Sequence, residues 1–270
     1  MDDEPLLRAE DLTTWSSWVA TARLHARSPG YRRRVAQARS AMEALYRRHP
    51  DALLMWSAGK DSTAMVHLAS TVRPGCDACS EKDDLDFPGE RAYVERWAYQ
   101  WGVAITIVAP EMSPAEWVAE HAGELGPSTD IHARTAELSK RCFYEVVERA
   151  AEDRSAIVLG LRAEESRGRA LNRYSRGLEY RKASGQFVAQ PIADWTGIDV
   201  MAYLVTNEID PLPVYRCVAF MHRLDPWRIR KSWWIPGVSA RHGYTAWLRH
   251  YYPSLYHRLV ELVPRQQGCT

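Results

Sequence analysis

The sequence predicts an α/β protein built on a doubly wound parallel sheet, and three observations carry that prediction. Short apolar runs of strand length alternate with segments of helical period, at the spacing of successive β-loop-α units. A small polar turn with one glycine, Ser57-Ala58-Gly59-Lys60-Asp61-Ser62-Thr63, separates the apolar run 52–56 from the helix-period segment that follows. An arginine-rich run, 160–169, comes directly after a later apolar strand.

Taken in order, residues 11–29 and 31–49 read as two helices broken at Ser28-Pro29-Gly30, the second with Val35, Ala38, Met42, Leu45 and Tyr46 at helical spacing. A strand is expected at 52–56 and a helix over roughly 61–72, where Met65, Leu68 and Ala69 recur at i, i+3 and i+4. A short strand near 76–80, a helix over 88–101, a strand at 103–109, a helix over 134–151 and a strand at 156–161 follow. Leu178–Tyr180 and Gln186–Gln190 flank Lys182-Ala183-Ser184-Gly185 as a hairpin. The run from Asp199 to Leu204 reads as a helix ending before Pro211, and a last helix near 243–262 is interrupted or restarted at Pro253. The expected organisation is a helical extension at 1–50, a nucleotide-binding domain at 51–215, and a basic, aromatic, mostly helical cap at 216–270.

With 270 residues, 46% hydrophobic content and a formal charge of +1, the chain has enough length for one large domain with accessory segments. No run of about 18 apolar residues occurs, and the N-terminus Met1-Asp2-Asp3-Glu4-Pro5 is acidic, so neither a membrane span nor a signal peptide is expected. A cytoplasmic location follows as the expectation. Five cysteines (Cys76, Cys79, Cys142, Cys217, Cys269) in such a chain read as reduced thiols rather than a disulfide framework.

A strand that ends at a polar turn and restarts as a helix leaves backbone N–H groups unpaired, and these can cradle a phosphate. The turn is not the common P-loop: Leu54 stands where G-x-x-x-x-G-K-[ST] needs its first glycine, and Asp61 follows Lys60. It resembles instead the S-G-G-x-D-S pyrophosphate loop of the ATP pyrophosphatases in the adenine nucleotide alpha hydrolase superfamily, with Ala58 at the first glycine. An alanine there costs little at negative φ and strains the loop at positive φ. In the functional reading Ser57, Ala58, Gly59, Lys60, Asp61, Ser62 and Thr63 grip the β- and γ-phosphates of ATP, Lys60 neutralises charge, and Asp61 orients Mg²⁺. The competing reading is a plain helix cap on Ser57 or Asp61.

The second constellation is Gly160-Leu161-Arg162-Ala163-Glu164-Glu165-Ser166-Arg167-Gly168-Arg169. Guanidinium forks at a strand's carboxyl end make an anion clamp, the alternative being a solvated loop of weak Arg–Glu pairs. The run looks like the G-x-R-x-[DE]-E/S-x-x-R element of the phosphoadenosine phosphosulfate (PAPS) reductase family, and the segment Gln190–Val200 with Tyr203 and Pro211–Tyr215 looks like its P-I-x-x-W-x-x-x-D-V-x-x-Y stretch. Trp195 there reads as packing rather than catalysis, with Thr196 or Asp194 capping a helix. The resemblance implies nucleotide contacts from Gly160, Arg162, Glu164, Ser166, Arg167 and Arg169, with Lys60, Asp61 and Arg162 closest to the chemistry.

Family members that reduce PAPS or adenylyl sulfate typically combine a degenerate loop with a C-terminal E-C-G-[IL]-H cysteine. This chain retains Lys60-Asp61-Ser62, and Cys269 lacks the flanking Glu and His. The resemblance therefore implies an enzyme that cleaves ATP to AMP and pyrophosphate to activate an oxyanion or nucleic-acid acceptor, in a sulfur-related process. The alternatives are a thiol-dependent PAPS or adenylyl sulfate reductase, and a nucleotide-binding subunit that needs a protein partner.

Three further features each have two readings. Cys76-Asp77-Ala78-Cys79 suggests zinc or an iron–sulfur cluster, but side chains at i and i+3 of a strand point to opposite faces and cannot chelate together. Asp84 or Asp86 would hold Mg²⁺ or substrate, or would merely favour the N-terminus of the helix near Pro88, the preferred reading. Residues 211–270 carry nine Arg or Lys against Asp225 and Glu261, interleaved with Trp227, Trp233, Trp234, Tyr244, Trp247, Tyr251, Tyr252 and Tyr256. That mixture suits single-stranded nucleic acid or an ordinary packed cap.

Overall fold

The computed structural model describes residues 4–82, 86–113, 144–220 and 244–262, with 116, 120 and 229 besides. Two helices lead the chain, α1 (Ala9–His25) and α2 (Pro29–Arg48). Ser28-Pro29-Gly30 starts α2 rather than breaking both. The Ser28 hydroxyl accepts the Tyr31 amide at 3.2 Å, and Pro29 occupies the first helical position, where its fixed φ suits the helix and its missing N–H costs nothing.

Next come β1 (Leu53–Met55), α3 (Lys60–Val72), β2 (Asp77–Glu81), α4 (Glu90–Trp101) and β3 (Ala104–Val108). Gly89 and Gly102 bound α4, both in the left-handed region at φ 76° and 64°. Residues 144–150 form α5, and the earlier part of the helix expected over 134–151 lies outside the described residues. The chain continues through β4 (Ala156–Leu159), a 3₁₀ turn at Ala163–Glu165, α6 (Arg167–Arg176), β5 (Glu179–Arg181), β6 (Phe187–Ala189) and α7 (Gly197–Thr206). A 3₁₀ turn at Pro213–Arg216 and two helices, α8 (Tyr244–Tyr251) and α9 (Pro253–Leu262), complete the described elements, with Pro253 restarting the helix.

The strands order as β3-β2-β1-β4-β6-β5. All neighbours are parallel except β5 and β6, the expected hairpin, in which Tyr180 faces Val188. Side chains alternate strictly between two cores. Leu54, Trp56, Ala78, Ala156 and Val158 enter the larger one, which also holds Met42, Leu68, Trp97, Leu204 and Trp247 from the helices. Leu53, Met55, Ile157 and Val188 enter the smaller one with Val146 and Val147 of α5. The same alternation sends Cys76 to the larger core and Cys79 to the smaller, so the pair cannot share one metal ion.

Two buried carboxylates fasten the first two helices to later segments of the chain. Asp11 of α1 accepts from the amides of Val218 (2.9 Å) and Ala219 (2.7 Å) and from the Tyr251 hydroxyl (2.7 Å), joining the first helix to the segment after the second 3₁₀ turn and to α8. Asp199 closes the capping box of α7 with Thr196, receives both arms of the Arg34 fork at 2.7 Å, and lies 2.7 Å from His25 Nε2. Trp195 is buried and donates its indole N–H to the Arg34 carbonyl at 3.2 Å, the packing role expected of it. No helix among the described residues is long and apolar enough to cross a membrane.

Burial opposes ionisation of Asp199, but the Arg34 and His25 hydrogen bonds outweigh it and hold the carboxyl at about 2. A carboxyl depressed on folding contributes stability above its unfolded value, and that contribution fades as pH falls through the folded value. Asp199→Asn is expected to cost about 2–3 kcal/mol at neutral pH, the loss for a broken buried pair reduced by the partial exposure of Arg34. Urea melts of both proteins will check this: the gap between them should narrow as pH drops from about 4 to about 2.

Candidate functional site

The chain leaves β1 toward β2 and β3, then returns to lay β4 on the other side of β1. The crossovers diverge between β1 and β4, the switch point beyond whose carboxyl ends sheets of this kind bind ligands. Ser57–Gly59 and Gly160–Arg162 both emerge there, because Met55 and Leu159 are paired in register. The strand expected to reach Leu161 ends at Leu159, where the chain turns beneath the start of α3.

That contact is backbone against backbone. A Cβ on Gly160 would lie 2.7 Å from Ser62 Cα and 2.8 Å from Ser62 N, closer than atoms pack. Ala58 carries the turn itself at φ 55°, so the position does require a left-handed backbone and the alanine is strained by about 1 kcal/mol. Gly59, at φ −65°, needs no such freedom. Among the described residues the amides of Ala58, Gly59, Asp61 and Ser62 find no acceptor, which leaves a set of donors at the α3 N-terminus, where the helix dipole favours an anion.

The hydroxyls of the turn divide between support and exposure. Thr63 is fully buried, its Oγ1 accepting from the Trp56 indole at 3.0 Å and its amide bonding the Gly59 carbonyl at 2.9 Å. It shapes the turn from inside. Ser62 donates to the Gly59 carbonyl at 3.0 Å and lies 3.1 Å from the Ser57 hydroxyl, and Ser57 is exposed.

Asp61 joins the two loops. Lys60 Nζ donates to its Oδ2 at 2.8 Å and Arg162 Nε to its Oδ1 at 2.5 Å, while Lys60 and Arg162 are only 2% and 3% exposed. Burial opposes the Asp61 charge, yet the two adjacent cations hold its carboxyl below the ordinary carboxylate range. Arg162 also donates to Glu164 at 2.5 Å, and Glu164 accepts the Gly197 amide at 2.6 Å, drawing in the start of α7. Glu165 accepts the Arg162 amide at 2.9 Å and pairs with Arg169. Ser166 caps α6 by accepting the Arg169 amide at 3.2 Å, and Arg167 is exposed on the first turn of that helix. The expected three-arginine clamp is thus one buried arginine tied to Asp61, one paired on α6, and one facing solvent.

Sequence reasoning assigned no role to Tyr215 or Ile229. The Tyr215 hydroxyl accepts the Lys60 amide at 3.0 Å, and its ring lies 5.3 Å beneath Lys60 Nζ. Burial pushes its phenol pKa up, so it stays a neutral partner. The Ile229 carbonyl takes a further Lys60 hydrogen bond at 3.2 Å. Tyr215 stood inside a recognised motif stretch, whereas Ile229 contributes only backbone and leaves no sequence signal.

Both carboxylate oxygens of Asp61 are engaged by cations, so it does not fit as a resident Mg²⁺ ligand, and Asp84 lies outside the described residues. Among the described residues no three His, Cys, Asp or Glu side chains gather as a metal site. Cys76, Cys79 and Cys217 are buried, and burial pushes the Cys79 thiol up to about 11; Cys142 and Cys269 lie outside the described residues. Trp247, Tyr251 and Tyr252 are core residues, with Trp247 donating to the Cys217 carbonyl at 2.9 Å, so they offer no face for stacking on bases. Trp227, Trp233 and Trp234 lie outside the described residues.

A mostly parallel sheet, with a buried arginine and unpaired helix N-terminal amides at its switch point, is the architecture of an α/β nucleotide-binding fold. The chain belongs to the family of the phosphoadenosine phosphosulfate reductase domain, whose model matches residues 51–218. Among solved structures it is similar to a PAPS reductase from Candida auris in a phosphate complex, with TM-score 0.50 and 18% identity over 65% of this chain and 82% of that one. Weaker likenesses are to an FMN adenylyltransferase from Candida glabrata in complex with ATP (TM-score 0.46, 10% identity, 76% of this chain and 67% of that one) and to yeast FAD synthetase in complex with FAD (0.45, 11%, 74% and 69%). No curated protein matches the sequence.

The two backbone constraints predict opposite outcomes for two small substitutions. Ala58→Gly should raise stability by about 1 kcal/mol by relieving the left-handed alanine, less whatever glycine's extra unfolded-state freedom removes. Gly160→Ala should push α3 off β4 and weaken nucleotide binding at least tenfold. Thermal melts and calorimetric titration with ATP will measure both, and a neutral Gly160→Ala would contradict the close approach.

Proposed function

We propose that the protein cleaves ATP between its α- and β-phosphates, releasing pyrophosphate and placing AMP on an acceptor oxygen. The acceptor attacks the α-phosphorus, the bond to the bridging oxygen breaks, and its electron pair leaves with pyrophosphate. The observation that carries this reading is the open row of amides at the α3 N-terminus. That row suits a diphosphate, and the Lys60–Asp61–Arg162 ion triad holds it rigid against β4. Charge that develops on the leaving pyrophosphate then meets donors already in place. Mg²⁺ supplies charge neutralisation when it arrives with the nucleotide, and the chain's own part is to grip and orient the phosphates.

A second reading, thiol-dependent reduction of PAPS or adenylyl sulfate, is favoured by the family match itself. The described thiols supply no nucleophile for it, since Cys76, Cys79 and Cys217 are all buried in the cores. Product analysis separates the two. With Mg·ATP and candidate acceptors, AMP and pyrophosphate should form in equal amounts, and Asp61→Asn should lower the rate at least 100-fold with the fold retained by circular dichroism. ADP and phosphate as sole products would refute the ATP reading, while sulfite release from PAPS in the presence of a dithiol would establish the reductase.

A further inference from the structure

We propose that Tyr215 is a substrate-binding residue, whose hydroxyl joins those of Ser57 and Ser62 around a seat at Gly59 for one oxygen of the diphosphate. This inference rests on the diphosphate reading of the α3 N-terminus and adds to it a residue and a place. The starting observation is Gly59. Its φ of −65° suits any residue, so the backbone conformation does not call for glycine there. What the missing side chain leaves is space. A Cβ on Gly59 would lie 3.4 Å from Ser57 Oγ, 3.5 Å from the Tyr215 hydroxyl oxygen and 3.8 Å from Ser62 Oγ. Apart from the residues next to Gly59 in the chain, these three hydroxyl oxygens are the nearest atoms to that position. Gly59 itself is half-buried, between the exposed Ser57 and the buried Ser62.

Counting protons decides which hydroxyl is a free donor. Ser62 Oγ donates to the Gly59 carbonyl at 3.0 Å, and Ser57 Oγ lies 3.1 Å from Ser62 Oγ, within reach of a hydrogen bond. The Tyr215 oxygen accepts the Lys60 amide at 3.0 Å, which orients the hydroxyl and leaves its own proton unused. Among the described residues no acceptor takes that proton, although Tyr215 is only 1% exposed. Burial also pushes the phenol pKa up, so the proton is present at neutral pH. A buried donor without an acceptor is costly, and an anionic oxygen at the seat would satisfy it.

The phenol is held from outside the turn that it serves. Tyr215 stands on the 3₁₀ turn Pro213–Arg216, with its amide bonded to the Leu212 carbonyl at 3.1 Å. Directly after that turn, Asp11 takes the amides of Val218 and Ala219. The donor therefore arrives oriented before any ligand binds. A diphosphate with one oxygen at Gly59 would meet hydroxyls there and the Asp61 and Ser62 amides with its other oxygens.

Calorimetric titration of the full chain with inorganic pyrophosphate tests the seat, alongside AMP and pyrophosphate formation from Mg·ATP. Tyr215→Phe should weaken pyrophosphate binding about 10- to 150-fold, the loss of one hydrogen bond to a charged group. Gly59→Ala should weaken it at least about tenfold, although its φ suits alanine and the new methyl meets only ordinary contacts. The melting temperature of that variant should move by less than about 4 °C. Because both changes act on one seat, Tyr215→Phe should cost less than about threefold more once Gly59→Ala is present. Absence of pyrophosphate binding, unchanged affinity in either folded variant, or losses that multiply in the double variant would each overturn the proposal. Pyrophosphate binding with these dependences but no AMP formation would sustain the seat and defeat the ATP reading. AMP and pyrophosphate formed at one rate by the protein and both variants would keep the ATP reading and remove the seat.

Discussion

The N-terminus of α3 rests directly on the end of β4, with no side chain at Gly160 to hold it away, and the Asp61 carboxylate binds the two together through Lys60 and Arg162. Either feature alone would be weaker. The close approach brings Arg162 within reach of Asp61, and the ion triad keeps the approach from opening. A buried pair contributes little net stability against an apolar replacement, so its value lies in fixing a geometry. Here that geometry is a helix N-terminus at which four amides have no partner among the described residues, while Lys60 is held by Tyr215 and Ile229.

The rest of the fold supports this junction from a distance. Asp199 ties α2 to the start of α7, and the Gly197 amide at that start is held by Glu164, itself paired with Arg162. Charge-assisted hydrogen bonds, joined across the Thr196–Gly197 peptide, therefore link the N-terminal helices to the turn at Ser57–Thr63. Asp11 performs the equivalent joining for α8. The extension, the sheet and the C-terminal helices contribute to one hydrophobic core, with Ala22, Leu54 and Trp247 all in it.

Much of this was legible in the sequence, for identifiable reasons. The central strands were readable because both of their faces are covered, which forces apolar runs bounded by turn residues, and the β5–β6 hairpin because turn residues separate its two strands. The separation of Cys76 from Cys79 followed from the two-residue period alone. Helix α6 was missed because it is short, rich in arginine and buries nothing, so its periodicity did not read as a core-facing helix; its Ser166 and Gly177 boundary signals could have revealed it. Whether Ala58 is strained depends on a backbone angle, and the burial of Asp11 and Asp199 depends on partners far away in sequence. Neither leaves a local pattern. At the site, Asp61 and Arg162 were named separately as nucleotide contacts, whereas their pairing is long-range and only the fold displays it.

The central claim is that the amides of Ala58, Gly59, Asp61 and Ser62, held by the Asp61 triad, form the diphosphate cradle. A crystal structure of the protein soaked with inorganic pyrophosphate tests it most directly. The account predicts density for a diphosphate at the α3 N-terminus, within hydrogen-bond distance of the Asp61 and Ser62 amides, with the Lys60–Asp61–Arg162 contacts intact. A site left empty at saturating pyrophosphate, or a diphosphate held elsewhere on the molecule, would contradict it.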